Sequence, residues 1–406
     1  MSAPFWAKSD HGWNLELGKN WHEDGQQRFQ CSGRLYVTRV KSRVLRNGRG
    51  SILDIVIIGA GLSGLTAAAT LAEAGASVQV VEADSRIGGR IQALRDPATN
   101  RSVADLGPTW VWPKYQPVVA EWLAKLGLKT FEQFNDGDAV ITGYAPKPLR
   151  QPLPGQDGMA RIVGGPAALI DALSRRIGAG HIRVSAPVTA ILADGPDHIA
   201  VHLNSGETLV ARHAIVAVPL RVAAGGLQLP WAPQSLIGAM RSTPTWMASH
   251  AKAVALYERP FWRDAGLSGR IASRLGPLVE AHDHTCAEGA PAAIFGFVGW
   301  SPERRLQGPE GLRRAILSQL VECFGEAAAD PLDLVVQDWA TNRWIATDFD
   351  LAGPPEHPEI GPPVLRARHL DGRLRFAVSE MSEVSPGLIE GALSAGHRAA
   401  MDLLTS

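Results

Sequence analysis

Cysteine is scarce in this chain, because only Cys31, Cys286 and Cys323 occur among its 406 residues, far apart and odd in number. A disulfide framework of the kind that stabilises small secreted proteins is therefore excluded, and a reducing compartment such as the cytoplasm is favoured. The chain also lacks the run of about 18 apolar residues that a membrane-spanning helix needs. Its N-terminus has no basic flank followed by an apolar stretch, as a secretory signal would. We expect a soluble, cytoplasmic protein without a membrane partner.

An excess of either charge is also absent, since 40 Lys and Arg residues match 40 Asp and Glu residues. Such a chain produces no strong field toward nucleic acid or anionic lipid, and neither is expected as a partner. Apolar residues make up 45% of the chain, enough for a large core, and the length fits two domains better than one. Residues 1–50 show no sustained periodicity. They are interpreted as an N-terminal extension, either a disordered leader, a structured arm or the result of an early start codon.

The sequence from Ile52 to Val81 has the order of a strand, a glycine-rich turn, a helix and a second strand. The first strand is a β-branched apolar run, and strong helix formers follow the turn. In this turn Gly59 permits the tight bend, Gly61 lets the backbone approach a pyrophosphate, and Gly64 lets the helix pack on the strand. The helix N-terminus then offers unpaired N–H groups to the phosphates. We predict a bound dinucleotide contacted by Gly59, Ala60, Gly61, Ser63 and Gly64.

The residues that end the second strand indicate which dinucleotide is bound. Glu82 can accept hydrogen bonds from both ribose hydroxyls and would repel the 2′-phosphate of NADP. Gly88, Gly89 and Arg90 follow shortly after it. The two glycines let this loop lie against the cofactor, and Arg90 can pair with the pyrophosphate charge. This arrangement favours FAD over NAD, with Glu82, Gly89 and Arg90 among its contacts.

Further motifs continue as far as the C-terminus. The most distinctive are Asp105-Leu-Gly-Pro-Thr-Trp110, Lys252 placed before Pro260-Phe-Trp262, and Ser385-Pro-Gly-Leu-Ile-Glu390. Segments 161–170, 186–190, 214–219 and 375–380 accompany them. Together with the nucleotide motif they resemble the flavin-dependent amine oxidase family, which includes monoamine oxidases, polyamine oxidases and L-amino-acid oxidases. Pro108 departs from the family pattern, which has a second glycine at this position.

The resemblance implies which residues surround the flavin. Lys252 would be the catalytic residue, reaching flavin N5 through a water and stabilising negative charge there. A helix starting near Leu388 would direct backbone donors at the ring. Attachment of FAD would be non-covalent, because Asp348 stands where some relatives have a flavin-linking cysteine. The other cofactor contacts implied are Gly107, Pro108, Thr109, Trp110, Val188, Trp339, Glu380, Leu388 and Ile389.

Two features depart from the family in the part that would receive the substrate. Relatives often flank the amine with two aromatic rings, whereas here the two positions carry Leu388 and Phe349, which are the expected substrate contacts. The stretch between Trp110 and Arg161 is also short for the helical subdomain of larger relatives. The segment from His282 to Cys286 has a superficial resemblance to a metal site, but a polar loop is the favoured interpretation, and no metal is expected.

The expected fold is α/β, with a Rossmann-type FAD-binding domain interleaved with an α+β substrate domain whose helical subdomain is shortened. The FAD-binding domain is assigned to residues 51–125, 160–238 and 335–406. The substrate domain is assigned to residues 126–159 and 239–334.

The expected activity is oxidation of a small-molecule amine to an imine, which water hydrolyses to a carbonyl compound and ammonia or amine. The cofactor supplies most of this chemistry. Oxygen is the expected electron acceptor, and transfer to another protein or a quinone stays open as the alternative. Two alternatives remain open from the sequence: a desaturase or C–C oxidase of a hydrophobic substrate, and a non-catalytic protein that retains FAD as a structural element.

Overall fold

The computed structural model describes residues 27–31, 34–38, 52–352 and 357–405, which fall into two compact units, Met1–Val44 and Leu45–Ser406. In the first unit, strands β1 (Gln27–Cys31) and β2 (Arg34–Thr38) pair antiparallel, with Gln27 opposite Thr38. The remainder of the predicted N-terminal extension lies outside the described residues.

The second unit contains the other strands of the described chain. They are β3 (Leu53–Ile58), β4 (Val78–Val81), β5 (Ala93–Arg95), β6 (Ser102–Asp105), β7 (Trp110–Val111), β8 (Thr130–Glu132), β9 (Asp138–Thr142), β10 (Leu149–Gln151), β11 (Ala160–Ile162), β12 (Ile182–Arg183), β13 (Val188–Asp194), β14 (His198–Leu203), β15 (Thr208–Val216), β16 (Ala251–Tyr257), β17 (Leu267–Ser273), β18 (Leu278–Asp283), β19 (Ala292–Val298), β20 (Asp333–Asp338) and β21 (Leu374–Phe376). The α-helices are α1 (Leu62–Glu73), α2 (Pro117–Leu126), α3 (Ala167–Ile177), α4 (Leu220–Gly226), α5 (Gln234–Ser242), α6 (Phe261–Asp264), α7 (Pro302–Gln307), α8 (Pro309–Phe324), α9 (Asp348–Leu351) and α10 (Ile389–Leu404).

One large sheet, called here the parallel sheet, has the strand order β12-β4-β3-β15-β14-β13, and β21 also pairs with β15. Strands β12, β4, β3, β15 and β21 run parallel, whereas β14 and β13 are antiparallel additions. The predicted strand, helix and second strand are present as β3, α1 and β4. Gly64 allows α1 to lie this close to the sheet, because a Cβ there would stand 2.0 Å from the carbonyl oxygen of Gly59.

The other large sheet, called here the antiparallel sheet, has the order β10-β9-β17-β18-β19-β16-β20. All its pairings are antiparallel except that of β17 with β9. Helix α8 contributes Leu312, Ile316 and Leu320 to the apolar core against this sheet. In the ladder, Lys252 is opposite Phe297, and Phe297 is opposite Glu280 on its other side. Directly opposed residues share a face of a sheet, so these three side chains lie on one face.

The strands of the two sheets come from the chain segments predicted for two interleaved domains, except at one boundary. The predicted boundary at residue 334 falls inside β20, which pairs with β16 through Asp338 and therefore belongs to the antiparallel sheet. Residues 45–406 nevertheless form one compact unit, and the division into two domains stays a prediction. Among the described residues, no helix combines the length and apolar character needed to cross a membrane.

Candidate cofactor and substrate cavity

A cavity of about 970 Å³ is lined by residues of both large sheets and by the first residues of α1 and α10. Glu82 lines the part formed by the parallel sheet, and Lys252 lines the part formed by the antiparallel sheet. This volume is at the upper end of ordinary ligand sites. The cavity can therefore hold a large cofactor together with a small substrate.

Glu82 at the end of β4 is held in place by the glycine-rich turn. Its carboxylate accepts hydrogen bonds from the backbone N–H groups of Ala60, at 2.7 Å, and Asp84, at 2.8 Å. Burial raises the pKa of Glu82, and these two N–H donors offset part of that rise. The oxygens keep further lone pairs for a ligand, as contact with a ribose diol requires.

The turn before α1 leaves space where a pyrophosphate would fit. Gly61 lines the cavity, and a Cβ added to it would meet no protein atom within 4 Å. It is also the N-cap of α1, and no side chain caps this helix end. The first N–H groups of the helix are therefore left to a ligand, as in dinucleotide sites. The residues present fit FAD at this end of the cavity.

Arg90 lines the cavity and is fixed by a buried acid. Its guanidinium bonds Glu380 at 2.6 and 3.1 Å, the Ser379 hydroxyl at 2.9 Å and the carbonyl oxygen of Trp246 at 3.1 Å. Burial raises the pKa of Glu380, but the charge and hydrogen bonds of Arg90 outweigh this effect and the pKa is lowered overall. Glu380 does not line the cavity. Glu380 therefore positions Arg90, and its expected direct contact with the cofactor stays a prediction.

Lys252 is 3% exposed, and the direct partners of its side-chain nitrogen within the described part of the chain are uncharged. Nζ donates to the carbonyl oxygen of Gly107 at 3.0 Å and to the Thr109 hydroxyl, and it lies 4.0 Å from the centre of the Phe295 ring. Burial is the main cause that lowers the pKa of Lys252 to about 7. The lysine is thus joined to the segment from Gly107 to Trp110, whose residues the family resemblance gives as expected cofactor contacts.

Helix α10 also presents its N-terminus to the cavity. Leu388 is its N-cap, without a side-chain cap, and both Leu388 and Ile389 line the cavity. Glu390, in the first turn, instead accepts the backbone N–H groups of Val118 and Val119 at 3.1 and 2.6 Å. The acid therefore holds the start of α2, and the free donors of α10 remain for a ligand.

Most of the predicted site residues are brought together around this one cavity. Those that line it are Gly59, Gly61, Ser63, Glu82, Gly89, Arg90, Gly107, Pro108, Thr109, Trp110, Val188, Lys252, Trp339, Leu388 and Ile389. Ala60 and Gly64 do not line it. The N–H of Ala60 donates to Glu82, and Gly64 packs against Gly59.

Phe349, which was expected to contact the substrate, does not line the cavity. Its side chain is 67% exposed. The neighbouring Asp350 is buried instead, where its carboxylate accepts from Arg221 at 2.8 Å and from the N–H of Thr347 at 3.0 Å. These bonds turn α9 so that Phe349 faces solvent, and Leu351 lines the cavity in its place.

The segment around His282 is not the polar loop that the sequence suggested. His282 and Asp283 end β18, and His282, Asp283 and His284 are at most 3% exposed. Asp283 tolerates burial because it accepts from the Trp262 indole, Arg263 and the N–H of Thr285, each at 2.8 Å. Within the described ranges, no group of three or more His, Cys, Asp or Glu side chains is arranged to hold a metal.

Several cavity residues were not found from the sequence. Lys252 was identified through the family resemblance, but the strands that pair with β16 could not be known without the sheet register. The register adds Phe297 and Glu280, and loop residues contribute Trp246, Met247, His250, Trp300 and Trp344.

Comparisons with known proteins agree with this geometry. The family model for flavin containing amine oxidoreductase matches residues 62–151 and 147–404. A probable flavin-containing monoamine oxidase A of Dictyostelium discoideum is 22% identical, with 87% of this chain and 98% of that protein aligned. A putrescine oxidase of Kocuria rosea is 23% identical, with 86% of this chain and 95% of that protein aligned.

Solved structures share the fold. A putrescine oxidase bound to putrescine superposes with a TM-score of 0.74 at 21% identity, covering 88% of this chain and 100% of that one. A cyclohexylamine oxidase of Brevibacterium oxydans gives a TM-score of 0.72 at 22% identity, covering 86% and 98%. The glycine turn, the two uncapped helix ends and the family match over most of the sequence lead to one assignment: this chain belongs to the flavin-containing amine oxidoreductases, the enzymes that oxidise amines with a flavin.

Proposed function

We propose that this protein binds FAD non-covalently and oxidises the C–N bond of an amine to an imine, which water hydrolyses, with oxygen as the electron acceptor. The observation that carries the proposal is one cavity that joins a ribose-binding acid, Glu82, to a buried lysine, Lys252. The proposal includes oxygen as the electron acceptor of the reduced cofactor. It also includes a cytoplasmic location of the protein.

The residues that would hold the cofactor are distributed along the cavity. Glu82 would bind the ribose, the start of α1 and Arg90 the pyrophosphate, and the start of α10 the flavin ring. When bound, FAD supplies the two-electron acceptor for the amine. Asp348 lies in place of a linking cysteine, so the cofactor is retained by these contacts alone.

The chain itself prepares the amine. Trp110, Phe297, Trp344 and Leu388 give the cavity an apolar lining. An apolar, water-poor environment disfavours the ammonium form and supplies the free base, whose lone pair the oxidation needs. Lys252 provides a proton-exchanging nitrogen within this lining.

An anaerobic reduction screen tests the proposal. Purified yellow holoenzyme is mixed with a panel of amines, and the flavin spectrum is followed before and after oxygen is admitted. We expect bleaching by at least one amine and peroxide release on reoxidation. Bleaching only by polyenes or ring substrates would support the desaturase alternative, and a flavin that even dithionite leaves unreduced would support a non-catalytic protein.

One further observation narrows the class of amine that the site would accept as substrate. Glu280 lines the cavity, and its side chain is 51% exposed. Its carboxylate forms a hydrogen bond with Nε2 of His282 at 2.7 Å. This hydrogen bond is the main cause that lowers the pKa of Glu280. Glu280 and Lys252 both pair with Phe297, so their Cα atoms are about 10 Å apart across two strand spacings. The carboxylate is placed to receive a second cationic group at the far end of a substrate.

A substrate with two amino groups is therefore part of the proposal. Putrescine, the compound named in one relative, has two such groups. We expect Glu280→Gln to raise KM for a diamine about 10-fold or more, because a hydrogen bond to a charged group contributes roughly 1.5–3 kcal/mol. KM for a monoamine of equal length should change less than 3-fold.

Glu303→Gln, a change of the same chemistry at a residue that does not line the cavity, is the matched control and should affect neither substrate. Steady-state kinetics with paired substrates, such as 1,4-diaminobutane and butylamine, measure the difference. An equal change in KM for both amines would contradict the role given to Glu280.

A further inference from the structure

Lys252 and three other buried titratable side chains, each from a different part of the chain, form a cluster. Asp105 ends β6, Arg161 lies in β11, Lys252 lies in β16 and His284 follows β18. Each of the four is at most 5% exposed. The cluster includes His284, from the segment that the sequence had suggested to be a polar loop. The reaction described above does not use this histidine.

His284 holds Asp105 in position. The backbone N–H of Asp105 donates to Nε2 of His284 at 2.9 Å, and Oδ2 of Asp105 lies 3.3 Å from the same nitrogen. Arg161 fixes the histidine segment in turn, because it donates to the carbonyl oxygens of His284 at 3.1 Å and Thr285 at 2.7 Å. The backbone of Asp105 is thus anchored two residues before Gly107, whose carbonyl accepts from Lys252.

Lys252 is the surplus cation of this region. The nearby carboxylate of Asp283 is already bonded to Arg263 at 2.8 Å. Asp105 alone is left to face the two cations Arg161 and Lys252. Burial disfavours charge on Lys252, and one carboxylate cannot neutralise two buried cations, so the uncharged form of the lysine is favoured.

We propose that Asp105, positioned by His284, sets the proton affinity of Lys252, whose neutral amine form takes up one proton on Nζ when negative charge develops in the cavity. The proton comes from solvent or from the substrate ammonium, and the lone pair of Nζ accepts it. Asp105 makes this uptake possible, because its negative charge is the one that stabilises the resulting ammonium.

The remaining charged and titratable groups around Lys252 agree with this assignment. Burial lowers the pKa of Lys252 most, Asp105 raises it and Arg161 lowers it further. Burial lowers the pKa of His284 to about 3 and also lowers the pKa of His282, so both imidazoles stay neutral near pH 7. Asp105 is therefore the group that can raise the proton affinity of Lys252.

Direct titration of Lys252 in the holoenzyme tests the proposal. The chain has only eight lysines, so lysine labelled with ¹³C at Cε gives few NMR signals, and Lys252→Met identifies the one of interest. We expect Lys252 to titrate near pH 7 in the unaltered protein. In Asp105→Asn its titration should move about one pH unit or more lower, because the negative charge of Asp105 raises the pKa of Lys252 and this charge is removed.

Asp283→Asn is the matched control, because it removes an equally buried carboxylate that is paired with Arg263. In this variant the titration of Lys252 should move by less than about 0.5 pH unit. A Lys252 signal that titrates above about pH 9 in the unaltered holoenzyme would overturn the proposal even if Asp105→Asn does not fold. An unmoved signal in folded Asp105→Asn would do so as well. The inference rests on the proposed FAD site, but failure to bind FAD would reject that site separately, by the absence of a yellow holoenzyme.

Discussion

Replacing Lys252 by methionine is expected to slow reoxidation by oxygen about 100-fold or more, because a preorganised donor beside developing negative charge contributes roughly a factor of 10²–10³. Methionine fills a similar volume without the nitrogen that bonds Gly107 and Thr109. Flavin reduction by the amine should change less than about 10-fold, since the apolar lining that supplies the free base is retained. Stopped-flow absorbance measures the two half-reactions separately.

The control for this experiment is Lys114→Met. Lys114 is a surface lysine that is paired with Asp157 and does not line the cavity. This variant should leave both half-reactions unchanged. If Lys252→Met binds FAD and reoxidises at the original rate, Lys252 has no part in the oxygen reaction, and the assignment of this residue from the family resemblance would be wrong.

Replacing Gly61 by alanine is expected to weaken FAD binding about 10- to 100-fold while leaving the fold intact. The backbone at Gly61 has φ −71°, which any residue adopts, and an added Cβ would contact no protein atom. The methyl group would instead occupy space in the cavity that the pyrophosphate requires, and overpacking of this size costs roughly 1–3 kcal/mol. Fluorescence titration of the apoprotein with FAD measures the affinity, and circular dichroism checks the fold.

Gly311→Ala provides the matched comparison. Gly311 lies inside α8, an added Cβ there also meets no protein atom, and the position does not line the cavity. This variant should bind FAD normally and unfold at a slightly higher temperature, because alanine is the better helix former. Equal FAD affinity in the two variants would mean that the cofactor does not approach the backbone at Gly61.

The nucleotide half of the site could be predicted from sequence because its chemistry is local. The turn from Gly59 to Gly64, the acid at Glu82 and the loop at Arg90 are close in the chain, and each has a backbone or charge requirement that few residue types meet. The structure places these residues around one cavity, as expected. Lys252 could be identified too, through its spacing from Pro260-Phe-Trp262, but only by resemblance.

The expected and observed placements differ where a neighbour distant in sequence decides the orientation of a side chain. Phe349 matched a family position, yet the bond of Asp350 to Arg221, which is far away in the chain, turns the ring to solvent. Glu380 was expected to contact the cofactor but is engaged by Arg90. No local pattern carries this information, because the competing partners come from other elements.

The sequence by itself determined the parallel βαβ unit, the dinucleotide and the family, since short-range backbone geometry and charge specify them. Only the tertiary structure decided what surrounds the reacting end. The register of β18, β19 and β16 puts Glu280, Phe297 and Lys252 on one face, and the packing of β16 buries Lys252 where its nitrogen donates to Gly107 and Thr109. Proton affinity and substrate selection depend on such through-space neighbours, because electrostatic interactions are strong only where burial removes water.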